Sequence, residues 1–533
     1  MQSSVPPRPR DFLALGVLVL GALAAVLAVL PYRAFDLDRF FGPKELALHL
    51  SALFAGVILL SGARRISLTR ADLALGAWVA LSAVSAVFAS NHWLALRAFA
   101  ITLSGAVIFW SARRMARAGL GGVLARWMAA AVVLGALTAL AQAYGLKMEF
   151  AALNRAPGGT FGNRNFMAHL TAMGLAPLIA CICAARSARS AGFWTVALAA
   201  SVAALVLSRT RAAWLALIVA AVVCVLIVVR GPALLESIGA RRRLTGAAIA
   251  TVIGVLVALA LPNALDWKSD NPYLESVVGV VNYREGSGRG RLLQYSNSAR
   301  MTLAHPVLGV GPGNWPAAYP GFAPATDPSI SETTGMAANP WPSSDWVAAA
   351  SERGILAIVA LGATFLMLIG GAIAARYDST TTPTVRLYAL AGAVALGVAA
   401  IEGLFDAVLL LPTPALLVWA LAGALLPPRK ERWVVEFGFM KRTLATAMLG
   451  AALLAISYSA AGRVEAMRLA TIGTATALEE AVRNEPGSYR IRMKLAEVYA
   501  GRGQCAKARE HVTAARKLFP LAPAARRLAE QCK

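Results

Sequence analysis

The sequence predicts an all-helical, polytopic membrane protein with about thirteen transmembrane helices. Of its 533 residues, 58% are hydrophobic and only 15% are charged, and the mean hydropathy is +0.62. Soluble domains carry about 25% charged residues, so a soluble class is excluded. Two further observations support the prediction: apolar runs long enough to cross a bilayer, and basic residues concentrated in alternate loops.

Thirteen apolar runs have the length that a membrane-spanning helix needs, about 17 to 25 residues. They lie at 12–30, 45–61, 71–89, 93–110, 121–144, 165–184, 191–207, 212–229, 245–262, 346–374, 387–408, 410–426 and 443–461. The first run is long enough to span and is followed by no convincing cleavage site. We therefore expect a transmembrane helix there rather than a removed signal peptide.

Basic residues predict which loops face the cytoplasm. They precede the first and ninth runs and follow the second, fourth and sixth, at Arg8, Arg10, Arg64, Arg65, Arg70, Arg113, Arg114, Arg117, Arg186, Arg189 and Arg241–Arg243. Because positive charge accumulates in cytoplasmic loops, the N-terminus is predicted to be cytoplasmic. Topology then explains the net charge of +24. The chain has no basic stripe with interleaved aromatic residues, so no nucleic-acid partner is predicted.

One short loop on the opposite, periplasmic side breaks this charge pattern. In the segment LVLSRTRAAWLALIVA (205–220), Arg209 and Arg211 separate the seventh and eighth runs. A guanidinium in the hydrocarbon layer costs roughly 2.5 to 3.5 kcal/mol, so these residues either lie in a turn at the surface or have a function. A solvated turn and an anion-binding site are the two explanations.

Two longer segments are also predicted to be periplasmic. Residues 263–345 form an external loop, and residues 462–533 form a tail after a membrane domain of residues 1–461. In the tail, Pro486 and Pro520 are 34 residues apart, and the residues between them have tetratricopeptide-like spacing. We expect a helical-repeat tail that contacts the membrane domain or a protein partner, with a plain helical hairpin as the alternative.

The cysteines fall into two groups. Cys505 and Cys532 lie in the tail, whereas Cys181, Cys183 and Cys224 lie within predicted spans and are expected to act as small apolar residues. If the last two tail helices pack antiparallel, Cys505 begins one and Cys532 ends the next. The periplasm permits the bond, so a disulfide is predicted. Cysteine and histidine show no metal-ligand spacing, and no metal is predicted.

Three segments resemble, in the same order, the O-antigen ligase and polymerase superfamily of bacterial envelope enzymes. They are GGTFGNRNFMAHL (158–170), SRTRAAWLAL (208–217) and GRGRLLQYSNSARMTLAHPVLGVGPGNW (288–315), and the resemblance extends to NPWPSSDWVAAASERG (339–354) and IEGLFDAVLLLP (401–412). It implies a membrane glycosyltransferase that takes a glycan from undecaprenyl diphosphate on the periplasmic side. The acceptor is lipid A core in ligases, a growing chain in polymerases, and protein in related oligosaccharyltransferases.

The resemblance assigns arginines to the diphosphate. Arg211 matches the family's first functional arginine, with Arg209 as an extra charge, and Arg291 matches the second, with Arg289 close by. Guanidinium stays charged and offers a planar pair of donors to phosphate oxygens. These residues would also stabilise the negative charge that develops as the lipid diphosphate leaves. For Arg291, a solvated loop charge is the alternative.

The family's third functional residue, a histidine, is absent from this chain. It precedes the glutamate of an ERG-like motif by nine positions; Glu352 is that glutamate, and Ser343 occupies the histidine position. An unperturbed serine hydroxyl cannot act as a general base near neutral pH. Asp345 is the nearby substitute, and its alternative role is to cap the helix that begins there. Ser343, Asp345 and Glu352 are therefore the catalytic candidates.

Five more polar residues are candidates for the site: Asn163, Asn165, His169, Glu402 and Asp406. Glu402 and Asp406 are four residues apart near the outer end of the eleventh span, and carboxylates inside a membrane are functional candidates by default. Their alternative is a protonated or arginine-paired structural role. For His169, one turn inside the sixth span, the alternative is a hydrogen-bonded packing residue.

The sequence therefore predicts an O-antigen ligase-like glycosyltransferase of the bacterial inner membrane that acts in lipopolysaccharide and cell-envelope biosynthesis without a cofactor. Its partners would be an undecaprenyl diphosphate-linked glycan, an acceptor, membrane lipid and a protein that binds the tail. A polymerase or a protein O-oligosaccharyltransferase would use the same chemistry. A transporter of lipid-linked glycans and a membrane-anchored scaffold belong to other classes; the absence of internal symmetry disfavours the transporter.

Overall fold

The structure is a computed structural model of the chain. It describes residues 6–35, 37–146, 149, 155–229, 240–267, 269–279, 286–331, 334–378, 381–425 and 432–532. Over these residues the protein is 75% helical. The all-helical, polytopic class that the sequence predicts is confirmed.

In chain order the described helices are α1 (Pro9–Leu27), α2 (Gly42–Leu60), α3 (Arg70–Val87), α4 (His92–Arg117), α5 (Gly121–Ala143), α6 (Arg164–Cys183), α7 (Ala188–Ser208), α8 (Arg211–Val229), α9 (Ala240–Ala260), α10 (Pro272–Val278), α11 (Gly286–Ala304), α12 (Trp315–Ala318), α13 (Asp345–Arg353), α14 (Ile355–Arg376), α15 (Pro383–Phe405), α16 (Pro412–Leu425), α17 (Phe439–Ile472), α18 (Ala475–Asn484), α19 (Tyr489–Gly501), α20 (Cys505–Leu518) and α21 (Pro523–Gln531). Two strands, β1 (Arg65–Leu68) and β2 (Trp433–Glu436), and two short 3-10 helices, Gly159–Phe161 and Tyr319–Gly321, complete the described elements.

Each predicted apolar run overlaps a long helix. Within the described ranges, eleven helices are long and apolar enough to cross a membrane, and two shorter apolar helices, α8 and α16, bring the set to thirteen. The prediction for 346–374 is wrong in one respect, because that run is two helices, α13 and α14, rather than one. The break is at Gly354, whose φ of +87° favours glycine and where an added Cβ would overlap the carbonyl of Val307.

Helices α6 and α16 form the centre of the bundle. Every residue of α16 is buried, and most of α6 is buried as well. Small residues allow α16 to approach α4 closely: a Cβ on Gly423 would overlap the carbonyl of Phe109, and one on Gly105 would strike Trp419. Close backbone approach at small residues is a common way for membrane helices to associate.

The two ends of the bundle carry different structures. At one end, the sheet end, β1 pairs antiparallel with β2, and Arg65 forms an ion pair of 3.0 Å with Glu436. The sequence reading did not predict this sheet. Predicted cytoplasmic residues lie at the same end, where Arg113 donates to Asp72 over 2.7 Å. The other end, the loop end, carries the turn between α7 and α8, the described parts of residues 263–345, and the tail.

The tail consists of α18 to α21 and follows α17, which continues without a break past residue 461. The predicted disulfide is confirmed: Cys505 begins α20, Cys532 follows α21, and the two are bonded with a Cα–Cα distance of 5.1 Å. This separation is within the usual range for a disulfide. The tetratricopeptide character of the tail stays a prediction.

The tail is fixed to the loop end by a buried asparagine junction. The Asn91 side chain donates to the carbonyl of Leu518 in the tail over 3.0 Å. The backbone N–H of Asn91 donates to the side chain of Asn314, in the segment 263–345, over 2.9 Å. Three separate parts of the chain therefore meet at the start of α4, and the tail sits on the same end as the candidate site.

Candidate functional site

The arginine hairpin joins α7 to α8 at the loop end. Arg209 ends α7 in the left-handed region with φ 54°. Its guanidinium donates to Ser276 over 2.9 Å, pairs with Glu275 over 3.1 Å, and lies 4.8 Å from the centre of the Trp267 ring. Because the Arg209 side chain is only 10% exposed, this hairpin is not a freely solvated turn.

Arg211, the first residue of α8, has a different environment. Its guanidinium donates to the carbonyl of Gly279, and an added Cβ on Gly279 would collide with it. Among the residues that the structure describes, no carboxylate pairs with Arg211. A half-buried guanidinium without a carboxylate partner retains donors and positive charge for an anion.

Two more arginines, which the sequence reading did not select, lie near this hairpin. The charges of Arg155, Arg209 and Arg211 all act on Arg164 at the start of α6, and Glu275 is the acid that acts on it. The backbone N–H of Arg164 donates to the carbonyl of Arg155 over 3.0 Å. Among the described residues that act on Arg164, cationic charge therefore exceeds acidic charge. Arg164 is visible in the sequence as the basic residue of GNRN (162–165), but there it resembles an ordinary arginine at the end of a membrane helix.

Polar residues connect the hairpin to α15. Asn163 caps α6 by accepting a hydrogen bond from the backbone of Asn165 over 3.0 Å. The side-chain oxygen of Asn165 accepts from the hydroxyl of Thr210, between the two hairpin arginines, over 3.3 Å. The Asn165 side-chain amide donates to Asp406 over 3.2 Å. Two hydrogen bonds thus link Thr210 to Asp406.

His169 lies between the two carboxylates that the sequence singled out. Its Nδ1 is 3.1 Å from Oε1 of Glu402, and its Nε2 is 3.3 Å from Oδ2 of Asp406. Neither ring nitrogen has a well-formed hydrogen bond within the described residues, so these are close polar contacts. Pairing with arginine was the alternative role for Glu402 and Asp406. Both carboxylates instead contact His169.

The arginines of α11 differ in environment. Arg291 is half-buried, and its charge acts on Asp406. Its Nε atom is buried without a hydrogen-bond partner in the described part of the chain. Arg289 is exposed to solvent. The structure therefore brings Arg291 toward the carboxylate cluster and leaves Arg289 at the surface.

Asp345 is held by the loop between α15 and α16. Its carboxylate accepts hydrogen bonds of 2.9 to 3.3 Å from the backbone N–H groups of residues 408, 409 and 410. Burial raises the pKa of Asp345 to about 7, and these amides act in the opposite direction. The capping alternative is wrong, because Ser344 is the N-cap of α13 and accepts from Val347 over 3.3 Å.

The other two catalytic candidates are embedded in packing contacts. The backbone N–H of Ser343 donates to Gln294 over 3.1 Å. Glu352 accepts from the backbone of Trp315 over 3.3 Å and pairs with Arg353 over 3.1 Å. Burial raises the pKa of Glu352, whereas Arg353 lowers it. The catalytic roles of Ser343, Asp345 and Glu352 stay predictions.

Within the ranges that the structure covers, no group of three or more His, Cys, Asp or Glu side chains has the geometry to hold a metal ion. The site has guanidinium groups on one side and a histidine between two carboxylates on the other.

Comparison with known proteins identifies the same region. Residues 196–362 match the family model described as O-antigen ligase. No curated protein matches the chain. The matched residues contain the arginine hairpin and Arg291, whereas His169, Glu402 and Asp406 lie outside them. This match supports the resemblance that the motifs indicated: residues 196–362 of this polytopic membrane protein are similar to the O-antigen ligase family.

Proposed function

We propose that this protein transfers a glycan from undecaprenyl diphosphate to an acceptor, and that it does so at the loop end, on the periplasmic side of the bacterial inner membrane. The observation that carries the proposal is the environment of Arg211. It lies in the segment matched by the O-antigen ligase family, and its guanidinium contacts a backbone carbonyl and no described carboxylate. A guanidinium with no carboxylate partner among the described residues, at the end of membrane helices, suits the diphosphate of a membrane-anchored lipid.

The surrounding charges support a diphosphate rather than a singly charged ligand. Arg155, Arg164 and Arg209 act on the same region as Arg211, and Glu275 offsets only part of their charge. Phosphate oxygens accept paired hydrogen bonds from guanidinium groups. As the bond to the sugar breaks, negative charge grows on the diphosphate, and cations already in place stabilise it without reorganising.

The other predicted residues have supporting roles in the proposal. Arg209 is already paired with Glu275, so it supports the shape of the hairpin and adds charge. Arg291 approaches the site from α11, and exposed Arg289 contributes only long-range attraction. Asp345 fixes the loop between α15 and α16 through its three amide contacts. The tail, 462–533, is proposed to be a periplasmic, tetratricopeptide-like unit that recruits a protein partner.

The proposal is tested with the purified full-length protein in lipid nanodiscs. The donor is undecaprenyl diphosphate carrying a labelled glycan, and lipid A core, free glycan and peptide are offered as acceptors. Both transfer and released undecaprenyl diphosphate are measured. We expect both products from the wild-type protein, and the productive acceptor identifies it as a ligase, a polymerase or an oligosaccharyltransferase. Movement of intact donor across the bilayer without diphosphate release would instead identify a transporter.

The decisive variant is Arg211→Ala. Removing one preorganised charge-stabilising group costs about 100-fold or more in rate, and Arg211→Lys should recover only part because it loses the paired donor geometry. Arg189→Ala is the matched control, an exposed arginine at the opposite end of α7. Full transfer by the Arg211→Ala protein at normal expression would contradict the proposal.

A further inference from the structure

The missing family histidine leaves the acceptor hydroxyl without an obvious base. Ser343 occupies that position. The structure nevertheless contains an imidazole at the loop end, because His169 of α6 contacts Glu402 of α15 and Asp406, which directly follows α15. These residues are separated by more than 200 positions and meet only through packing of α6 against α15.

Exposure distinguishes the three members of this cluster. The side chains of His169 and Glu402 are 0% exposed, whereas that of Asp406 is 13% exposed. Asp406 directly follows α15, where the helix ends at the loop end. Only Asp406 can therefore be reached by a hydroxyl group from outside the bundle.

Asp345, the substitute that the sequence favoured, is less suited to touch an acceptor. Its oxygens already accept from three backbone amides, and the residue is 4% exposed. A Cβ on Gly403 would lie 2.9 Å from its Oδ2 atom, so the backbone of α15 covers the remaining side. Its lone pairs are used in holding the loop.

Asp406 retains a free direction while being held in place. Its Oδ2 atom receives the Asn165 amide and contacts His169, and its Oδ1 atom accepts from the backbone of Ala407 over 2.9 Å. The charge of Arg291 acts on it from α11. Through Asn165 it is also tied to Thr210, the neighbour of Arg211. A carboxylate is thus fixed beside both groups of arginines.

We propose that Asp406 is the base that takes the proton of the acceptor hydroxyl, and that His169, backed by Glu402, is its positioning residue. The inference rests on the proposed glycan transfer. The acceptor O–H bond breaks and its proton goes to Asp406, while the acceptor oxygen bonds to the anomeric carbon. The bond from that carbon to the diphosphate oxygen breaks, and its electron pair leaves on the diphosphate held by the arginines. Asp406 then returns the proton to water.

The test compares turnover and donor binding in the same nanodisc preparation. Asp406→Asn preserves shape and should lower kcat by about 100-fold or more, the usual contribution of a general base, with binding of undecaprenyl diphosphate unchanged. Asp270→Asn is the matched control, an exposed aspartate of the external segment, and should transfer normally. In Asp406→Gly, added sodium formate should restore part of the turnover, because a free carboxylate replaces the missing base.

The role of His169 is tested by non-additivity. His169→Gln should lower kcat in the wild-type protein and have little further effect in Asp406→Asn, because a residue that acts through Asp406 cannot act once that carboxylate is gone. A purely structural histidine would lower turnover in both backgrounds, and that result would overturn its assignment as positioning residue.

Failure of this inference is distinguishable from failure of the proposed function. Full turnover by Asp406→Asn, in an assay where the wild-type protein transfers glycan, would overturn the role of Asp406 and leave the transferase intact. Loss of turnover without formate rescue, with equal loss of donor binding, would also overturn it. Absence of transfer by the wild-type protein would overturn both proposals.

Discussion

Removing the bond between Cys505 and Cys532 should loosen the tail by a calculable amount. The two cysteines are 27 residues apart, and closing a loop of that length lowers the entropy of the unfolded chain by the equivalent of about 3.5 kcal/mol at 25 °C. Since each 1.4 kcal/mol is a factor of ten, amides that exchange only when the tail opens should exchange about 300-fold faster in a double Cys→Ser variant.

The measurement is amide hydrogen exchange of α19 and α20 by mass spectrometry, with the protein in nanodiscs and free of reductant. Cys224→Ser is the matched control, since this half-buried cysteine of α8 is free; its tail exchange should equal that of the wild-type protein. Unchanged exchange in the double variant would refute the reasoning. It would mean that amides of the tail exchange without unfolding of the loop between Cys505 and Cys532.

Three other predictions follow from the fold. A reporter fused after the C-terminus should behave as exported, and a cytoplasmic signal would show that one span is miscounted. Asp345→Ala should lower the free energy of unfolding by about 3 kcal/mol, because it leaves buried backbone amides unpaired; thermal unfolding measures this, with Asp270→Ala as the neutral control. Burial raises the pKa of Glu485 from 4.5 to about 7, so the stability contributed by its neutral form is complete below pH 4.5 and is lost as the pH rises through 7. Glu485→Gln should accordingly melt higher than the wild-type protein at pH 8 and equally at pH 4, and the same difference at both pH values would contradict this assignment.

The sequence predicted the membrane helices well because their signal is local. The run at 165–184 is α6 within one residue at each end, and the run at 410–426 contains all of α16. The break at Gly354 was missed because two apolar stretches, 346–350 and 355–374, were joined into one run across the polar residues 351–353. The pairing of β1 with β2 was missed because each strand has only four residues and its partner lies far away in the chain.

The candidate site was predicted unevenly for a related reason. Arg209 and Arg211 were identified from charge contrast, which a single segment reveals. Hydrophobic periodicity shows which face of a helix carries a residue but not which helix it meets, so the contact of His169 with Glu402 and Asp406 could not be read from either segment. The exposure difference that separates Asp406 from Asp345 is likewise a property of packing.

The length of α17 determines where the tail is held. Its 34 residues extend about 51 Å at 1.5 Å per residue, whereas the hydrocarbon core is about 30 Å thick. The helix therefore acts as a rigid spacer that projects roughly 20 Å beyond the core. One inserted residue would rotate everything after it by about 100° around the helix axis, which would carry Leu518 away from Asn91. The height and the rotational phase of the tail are thus set by a single count of residues.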